Sequence, residues 1–161
     1  MIWYCGVDWG KSCAMTFLSD DGRACDCFLM PMFKDKGRRQ YDGLGMRELF
    51  ERYHPVMTIF EKAYAGQGRA TCLSMGLGAG LTEGILIGLK LPHRSVRPQE
   101  WKNIILKGTK KDKSDAIVWC RGAFPKVDLR ATPKCKKMHD GKADSICIAQ
   151  FCRWQEKGVS Q

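Results

Sequence analysis

Ile2-Trp3-Tyr4-Cys5-Gly6-Val7-Asp8-Trp9-Gly10-Lys11-Ser12-Cys13-Ala14-Met15-Thr16-Phe17-Leu18 decides the fold. The stretch reads as a strand, a tight turn and a second strand. The bulky apolar residues before Asp8 suit a buried strand. Gly10 and Lys11-Ser12 supply turn chemistry, and an apolar, β-prone run resumes over 13–18. Asp20-Asp21-Gly22 then makes a second turn. Asp8 therefore closes a core strand. A carboxylate there needs a positive partner, because an unpaired buried charge is costly.

Outward from this pair, residues 23–30 read as a third strand ended by Pro31, which makes an antiparallel meander. Residues 34–39, Lys-Asp-Lys-Gly-Arg-Arg, read as a polar loop, solvated as the first reading and touching a phosphate as the second. Helical spacing over 41–53 puts Leu44, Leu49, Phe50 and Tyr53 on one face, and Pro55 ends the run. The apolar segment 56–60 is a buried strand that ends in Glu61, so a second strand delivers an acid as the first did. A loop over 62–68 precedes a long helix over 69–90. Its Gly76, Gly80, Gly84 and Gly88 recur every four residues. Each costs a helix about 1 kcal/mol relative to alanine. The stripe therefore implies close approach of another backbone, either the sheet beneath or, second in order, the same helix of a second subunit.

Residues 91–98, bracketed by prolines, form a fifth strand, followed by helices over 99–106, from Asp112 or Ser114 to Ala123, and over 139–154. Basic loops at 107–111 and 129–138 separate them. The fold class is α/β: one domain over 1–161, with a mixed five-stranded sheet of three meander strands plus parallel strands and helices on both faces.

The chain has 161 residues and a formal charge of +10. Between Arg97 and Lys142 stand 13 Lys/Arg against 5 Asp/Glu, a local excess of +8. Charge gathered in this way suits a polyanionic partner, nucleic acid first. The nine cysteines include no CxxC pair, which argues against a zinc framework. Cys147 and Cys152 fall in apolar periodic runs and read as core residues. This usage implies a reducing compartment inside the cell, and the amino terminus carries no secretory signal pattern. Residues 73–91 imitate a membrane span, but Glu83 in mid-stretch costs on the order of 3 kcal/mol there. No membrane partner is expected.

Asp140 and Asp144, four residues apart, share one face at the start of the last helix. Singly, each acid has a plain role: turn former, salt-bridge partner, helix cap or solvated residue. Together with Asp8 and Glu61 they form a set of four. Two such charges ~4 Å apart repel by about 4 kcal/mol at an effective dielectric constant near 20. Convergence therefore calls for cations, and oxygen-rich clusters suit Mg²⁺, with Mn²⁺ as a substitute. A pair of such ions serves phosphodiester hydrolysis.

Gly6-Val7-Asp8-Trp9-Gly10, the acid of Ile59-Phe60-Glu61, and His139-Asp140-Gly141-Lys142-Ala143-Asp144-Ser145 resemble the motifs of RuvC-type Holliday-junction resolvases, in the RNase H-like superfamily. The closing motif is most similar to the plant organellar and phage branch. The resemblance implies a homodimeric, metal-dependent endonuclease acting on four-way DNA junctions in recombination and repair. It implies Asp8, Glu61, Asp140 and Asp144 as metal ligands. It also implies Tyr64 as a wedge into the junction, and Lys102 and Lys113, eleven apart, as phosphate-facing lysines with Lys113 nearest the scissile bond. The basic loop adds Lys107, Lys110 and Lys111 as DNA contacts. One departure stands out: the bacterial proteins place their penultimate ligand three residues before the last acid, where this chain has Gly141. Asp140 is therefore the first choice for the fourth ligand and His139 the second.

Overall fold

Strand alternation sorts the first strand between two helical layers. In the computed structural model, which describes residues 1–9, 14–62 and 68–159, β1 (Trp3–Asp8) sends Tyr4 into one apolar cluster and Cys5 and Val7 into another. β1 pairs antiparallel with β2 (Ala14–Ser19), and β2 with β3 (Cys25–Leu29). On its other edge β1 pairs parallel with β6 (Met57–Glu61), and β6 with β7 (His93–Val96). The order β3-β2-β1-β6-β7 is the expected mixed five-stranded sheet. The turn assigned to Gly10, Lys11 and Ser12 lies outside the described residues, as does Cys13.

Helices α1 (Gly43–Tyr53) and α2 (Arg69–Gly88) cover one face. Asp42 caps α1, accepting the Gly45 N–H at 3.0 Å. At its other end Tyr53 stacks on Phe17 with centroids 4.2 Å apart and donates to Asp26 at 2.7 Å. The other face carries α3 (Pro98–Ile105), α4 (Lys113–Ala123) and α5 (Asp140–Glu156). α5 lies deepest. Its residues from Ser145 to Cys152 are all buried, including Cys147 and Cys152 as expected. The eight described cysteines form no disulfide with one another.

Two expectations need correction. Residues 34–39 are not a loop. They belong to a hairpin of β4 (Met32–Asp35) and β5 (Arg38–Tyr41). Lys36 and Gly37 turn it, with φ of 45° and 79°, the backbone of a primed two-residue turn whose twist matches the strands. The glycine stripe of α2 does not meet the sheet either. Among the described residues, a Cβ at Gly76, Gly80, Gly84 or Gly88 would have nothing within 4 Å. The glycine that is packed is Gly78, beneath the Tyr41 ring. α2 touches the core through Gly78, Thr82 and Leu86, and it leaves Leu73, Leu77 and Ile87 exposed. By length and composition it is apolar enough to cross a membrane.

Candidate active site

Asp8 and Glu61 end two neighbouring parallel strands. Val7 is in register with Phe60, so the two acids follow one another at the same edge of the sheet. Alternation gives their direction. Tyr4 and Ile59 pack on the α5 side, so Gly6, Asp8 and Glu61 face that side too. α5 runs back over β1 from this edge. A methyl group at Gly6 would overlap the Ser145 carbonyl oxygen and the Ala149 nitrogen, so glycine permits the helix backbone to lie directly on the strand. Ser145 is fixed by a buried hydroxyl contact to Thr16 at 2.7 Å. Asp144, one residue earlier, is thereby held at the end where Asp8 stands.

The charges feel one another. Asp8 is only 9% exposed. Burial pushes its carboxyl well above the usual range, and the Asp144, Glu61 and Asp140 charges push it further, against the Trp9 backbone N–H. Asp144 is pushed up to about 6. Burial leads, Lys102 opposes, Glu61 and Asp140 add, and Lys113 opposes. Glu61 is raised by burial and eased by a hydrogen bond from the Trp101 indole at 3.0 Å and by the Lys102 charge. Asp140 goes the other way. Lys113 Nζ donates to it at 2.6 Å and holds it below the ordinary range, outweighing burial.

Three desolvated carboxylates without full compensation are a site that a hard dication suits. The fit lies in donor chemistry and unbalanced charge. Among the described residues no three Asp, Glu, His or Cys side chains are gathered tightly enough to grip an ion together. Asp140 belongs to the group and is engaged by Lys113. His139 caps α5, its Nδ1 accepting the Lys142 N–H at 3.2 Å. A neutral ring that accepts at Nδ1 carries its proton on Nε2 and has no second lone pair for a metal. The His139 ring is thereby committed to the helix cap.

Two lysines act on the acids. Lys102 lies against the Trp101 ring, 5.2 Å from its centroid, and acts on both Glu61 and Asp144. Lys113 opens α4, whose start is set by Asp112 accepting the Ser114 and Asp115 N–H groups at 2.9 and 3.0 Å. Lys107 and Lys110 are exposed in the α3–α4 loop. Lys111 donates to Asn103 at 2.7 Å. Tyr64 lies outside the described residues. Lys142 turns away from the site and donates to the carbonyls of Asp128 and Arg130 at 3.1 and 2.9 Å, tying the 129–138 loop to α5.

Trp101 is a site residue that sequence reasoning missed. It is fully buried and its indole N–H serves Glu61. A signal existed, since a core tryptophan needs an acceptor for that group.

No protein-family model and no curated protein matches the chain. Solved structures do. Thermus thermophilus RuvC aligns over 99% of this chain and 99% of its own, with TM-score 0.66 and 15% identity. The same protein in complex with a Holliday junction substrate aligns over 100% and 99%, with TM-score 0.64 and 13% identity. The yeast mitochondrial Holliday junction resolvase Ydc2 covers 95% of this chain and 78% of its own, with TM-score 0.57 and 18% identity. The fold is therefore that of the RuvC-type resolvases, an RNase H-like sheet and helix arrangement.

Proposed function

We propose that this chain, built on the RuvC-type fold, is a divalent-metal-dependent endonuclease that resolves four-way DNA junctions as a homodimer, by paired symmetric nicks. One observation carries the reading. Asp8, Glu61 and Asp144 are desolvated at one sheet edge, each with its pKa raised, on a fold shared with junction resolvases. Asp8, Glu61, Asp144 and Asp140 would hold Mg²⁺ or Mn²⁺. When bound, the ions would offset the clustered charge, polarise the scissile phosphate and acidify an attacking water.

The chain's own groups do the rest. Trp101 fixes the Glu61 carboxylate by its indole N–H. Lys113 is 76% exposed beside Asp140, where its ammonium can meet a phosphate oxygen. Lys102 offsets Glu61 and Asp144 from the side. Lys107, Lys110, Lys111 and the remaining cations of 97–142 would hold the arms through phosphates, so binding should weaken steeply with salt. Tyr64 would enter the crossover, by analogy with the wedge of the family. The lack of a disulfide among the described cysteines suits a reducing compartment in the cell.

The exposed face of α2 supplies a surface for the second subunit. Its glycine stripe is open, and Leu73 is 76% exposed beside it. Two such helices can approach closely across a two-fold axis, which would set the two acid clusters in symmetric positions.

The test is a cleavage assay on a four-way junction, an RNA/DNA hybrid, a flap and a linear duplex, with Mg²⁺ and with EDTA. Junction cleavage that needs Mg²⁺ and vanishes in Asp8→Asn, with junction binding kept, is the expected result. A cut hybrid beside an intact junction would assign a different RNase H-like activity. Binding without nicking in Mg²⁺ would leave only a DNA-binding protein.

A further inference from the structure

The β4–β5 hairpin carries Lys34, Lys36, Arg38 and Arg39 against a single acid, Asp35, and all five are exposed. Lys34 and Arg39 sit directly opposite one another across the two strands. Like charges in that position are destabilising. None of the four cations makes a side-chain hydrogen bond or ion pair among the described residues. A self-repelling cation pair without a protein partner is a site prepared for an external anion. Phe33, on the opposite face of the hairpin, is 51% exposed, so the ribbon also presents an aromatic among cations.

Its position gives it meaning. The chain leaves the sheet at Leu29, which pairs with Ala14, and Ala14 pairs with Asp8. The hairpin therefore springs from the acid-bearing edge, about 10 Å from β1 at two strand spacings. Its root is firm: the Asp42 N–H donates to the Pro31 carbonyl at 2.9 Å, and Met32 and Tyr41 pack on the α1–α2 side. The lysines of α3 and α4 lie on the other side of the sheet. Cations thus flank the acid edge from both faces.

We infer that the β4–β5 hairpin is a second phosphate-gripping element, which holds a duplex arm on the α1–α2 side while the 97–142 region holds DNA on the other. The inference rests on the nucleic-acid part of the proposed function. An anionic membrane would also attract a basic ribbon with an exposed aromatic, but it would not explain why the ribbon rises from the acid edge.

The test compares Lys34→Gln/Arg38→Gln/Arg39→Gln with a control of equal charge change at the far end of the sheet, Arg23→Gln/Arg52→Gln/Lys90→Gln. Fluorescence anisotropy on a four-way junction and on linear duplex, in EDTA across a KCl series, gives Kd and its salt slope. The hairpin variant should bind at least 10-fold more weakly near 100 mM salt. Its slope should fall by about 0.9 for each duplex phosphate that the variant no longer neutralises. The control should change little. Lys34→Gln/Arg39→Gln alone removes a like-charge pair, so it should keep or raise Tm, which separates a binding loss from misfolding. Equal losses in hairpin and control variants, or an unchanged slope, overturn the inference. So does hairpin-dependent capture by phosphatidylserine vesicles with DNA binding intact. Wild-type protein that binds with a hairpin-dependent slope but never nicks would sink the nuclease reading and leave this one. Nicking with the slope unmoved would do the reverse.

Discussion

Asp144 illustrates how one side chain ties stability to pH. Its folded pKa of about 6 lies above the ordinary 3.8. The folded state then binds more protons than the unfolded chain, so stability is present in full below about pH 4 and is lost as pH rises through about 6. Asp8 and Glu61 are shifted in the same direction and add to the loss. In EDTA, Tm should be higher at pH 5 than at pH 7.5, Asp144→Asn should flatten that dependence, and Mg²⁺ should raise Tm more at pH 7.5 than at pH 5. A flat metal-free profile in the wild type would mean that the acids are already compensated. Trp101 offers a second test at this scale. Trp101→Phe keeps most of the packing and removes the 3.0 Å bond to Glu61. A hydrogen bond to a charged group is worth about 1.5–3 kcal/mol. The variant should need more Mg²⁺ for half-maximal cleavage and turn over roughly 10-fold more slowly, near the 1.4 kcal/mol that a factor of ten represents. An unchanged metal requirement would reduce Trp101 to a core residue.

Among the elements, α5 on β1 is the contact that assembles the site, and Gly6 is its hinge point. Gly6→Ala would drive a methyl into the α5 backbone, which has no flexible end to yield. Overpacking of this kind costs about 1–3 kcal/mol. The lower urea midpoint should come with a loss of cleavage larger than the stability change explains, since Asp144 moves with the helix. Full cleavage at a reduced midpoint would show that the two are separable. This scale also shows what the sequence disclosed. Strands ending in Asp8 and Glu61 were readable because apolar runs stop at acids, and the start of α4 was readable from Asp112, one of two caps its sequence offered. The cap of α5 was not, because the imidazole of His139 takes the place for which the carboxylate of Asp140 is the usual signal. The hairpin was hidden because Lys34 to Arg39 has the polarity of a loop, and its turn uses Lys36 at positive φ where asparagine is the usual signal. The direction of the α2 glycines was hidden as well. A period of four fixes a stripe on a helix but not which neighbour it faces, and the packed glycine proved to be Gly78, outside the stripe.

For the whole molecule, the open stripe on α2 makes assembly and stability separable by mutation. Among the described residues of one subunit, a Cβ at Gly80 or Gly84 would meet nothing within 4 Å. Gly80→Gln should therefore stabilise the isolated subunit, by up to about 1 kcal/mol from helix propensity alone. Across a two-fold axis the same side chain would prop the paired helices apart. Sedimentation or light scattering should find the wild type dimeric and Gly80→Gln monomeric, with a thermal midpoint at low protein concentration that is equal or higher. On a supercoiled cruciform plasmid the variant should give nicked circles, where the wild type gives linear product, because two nicks in one binding event need two joined sites. A variant that stays dimeric and still linearises the plasmid would move the subunit contact off α2. The exposed Leu73, Leu77 and Ile87 would then need another partner.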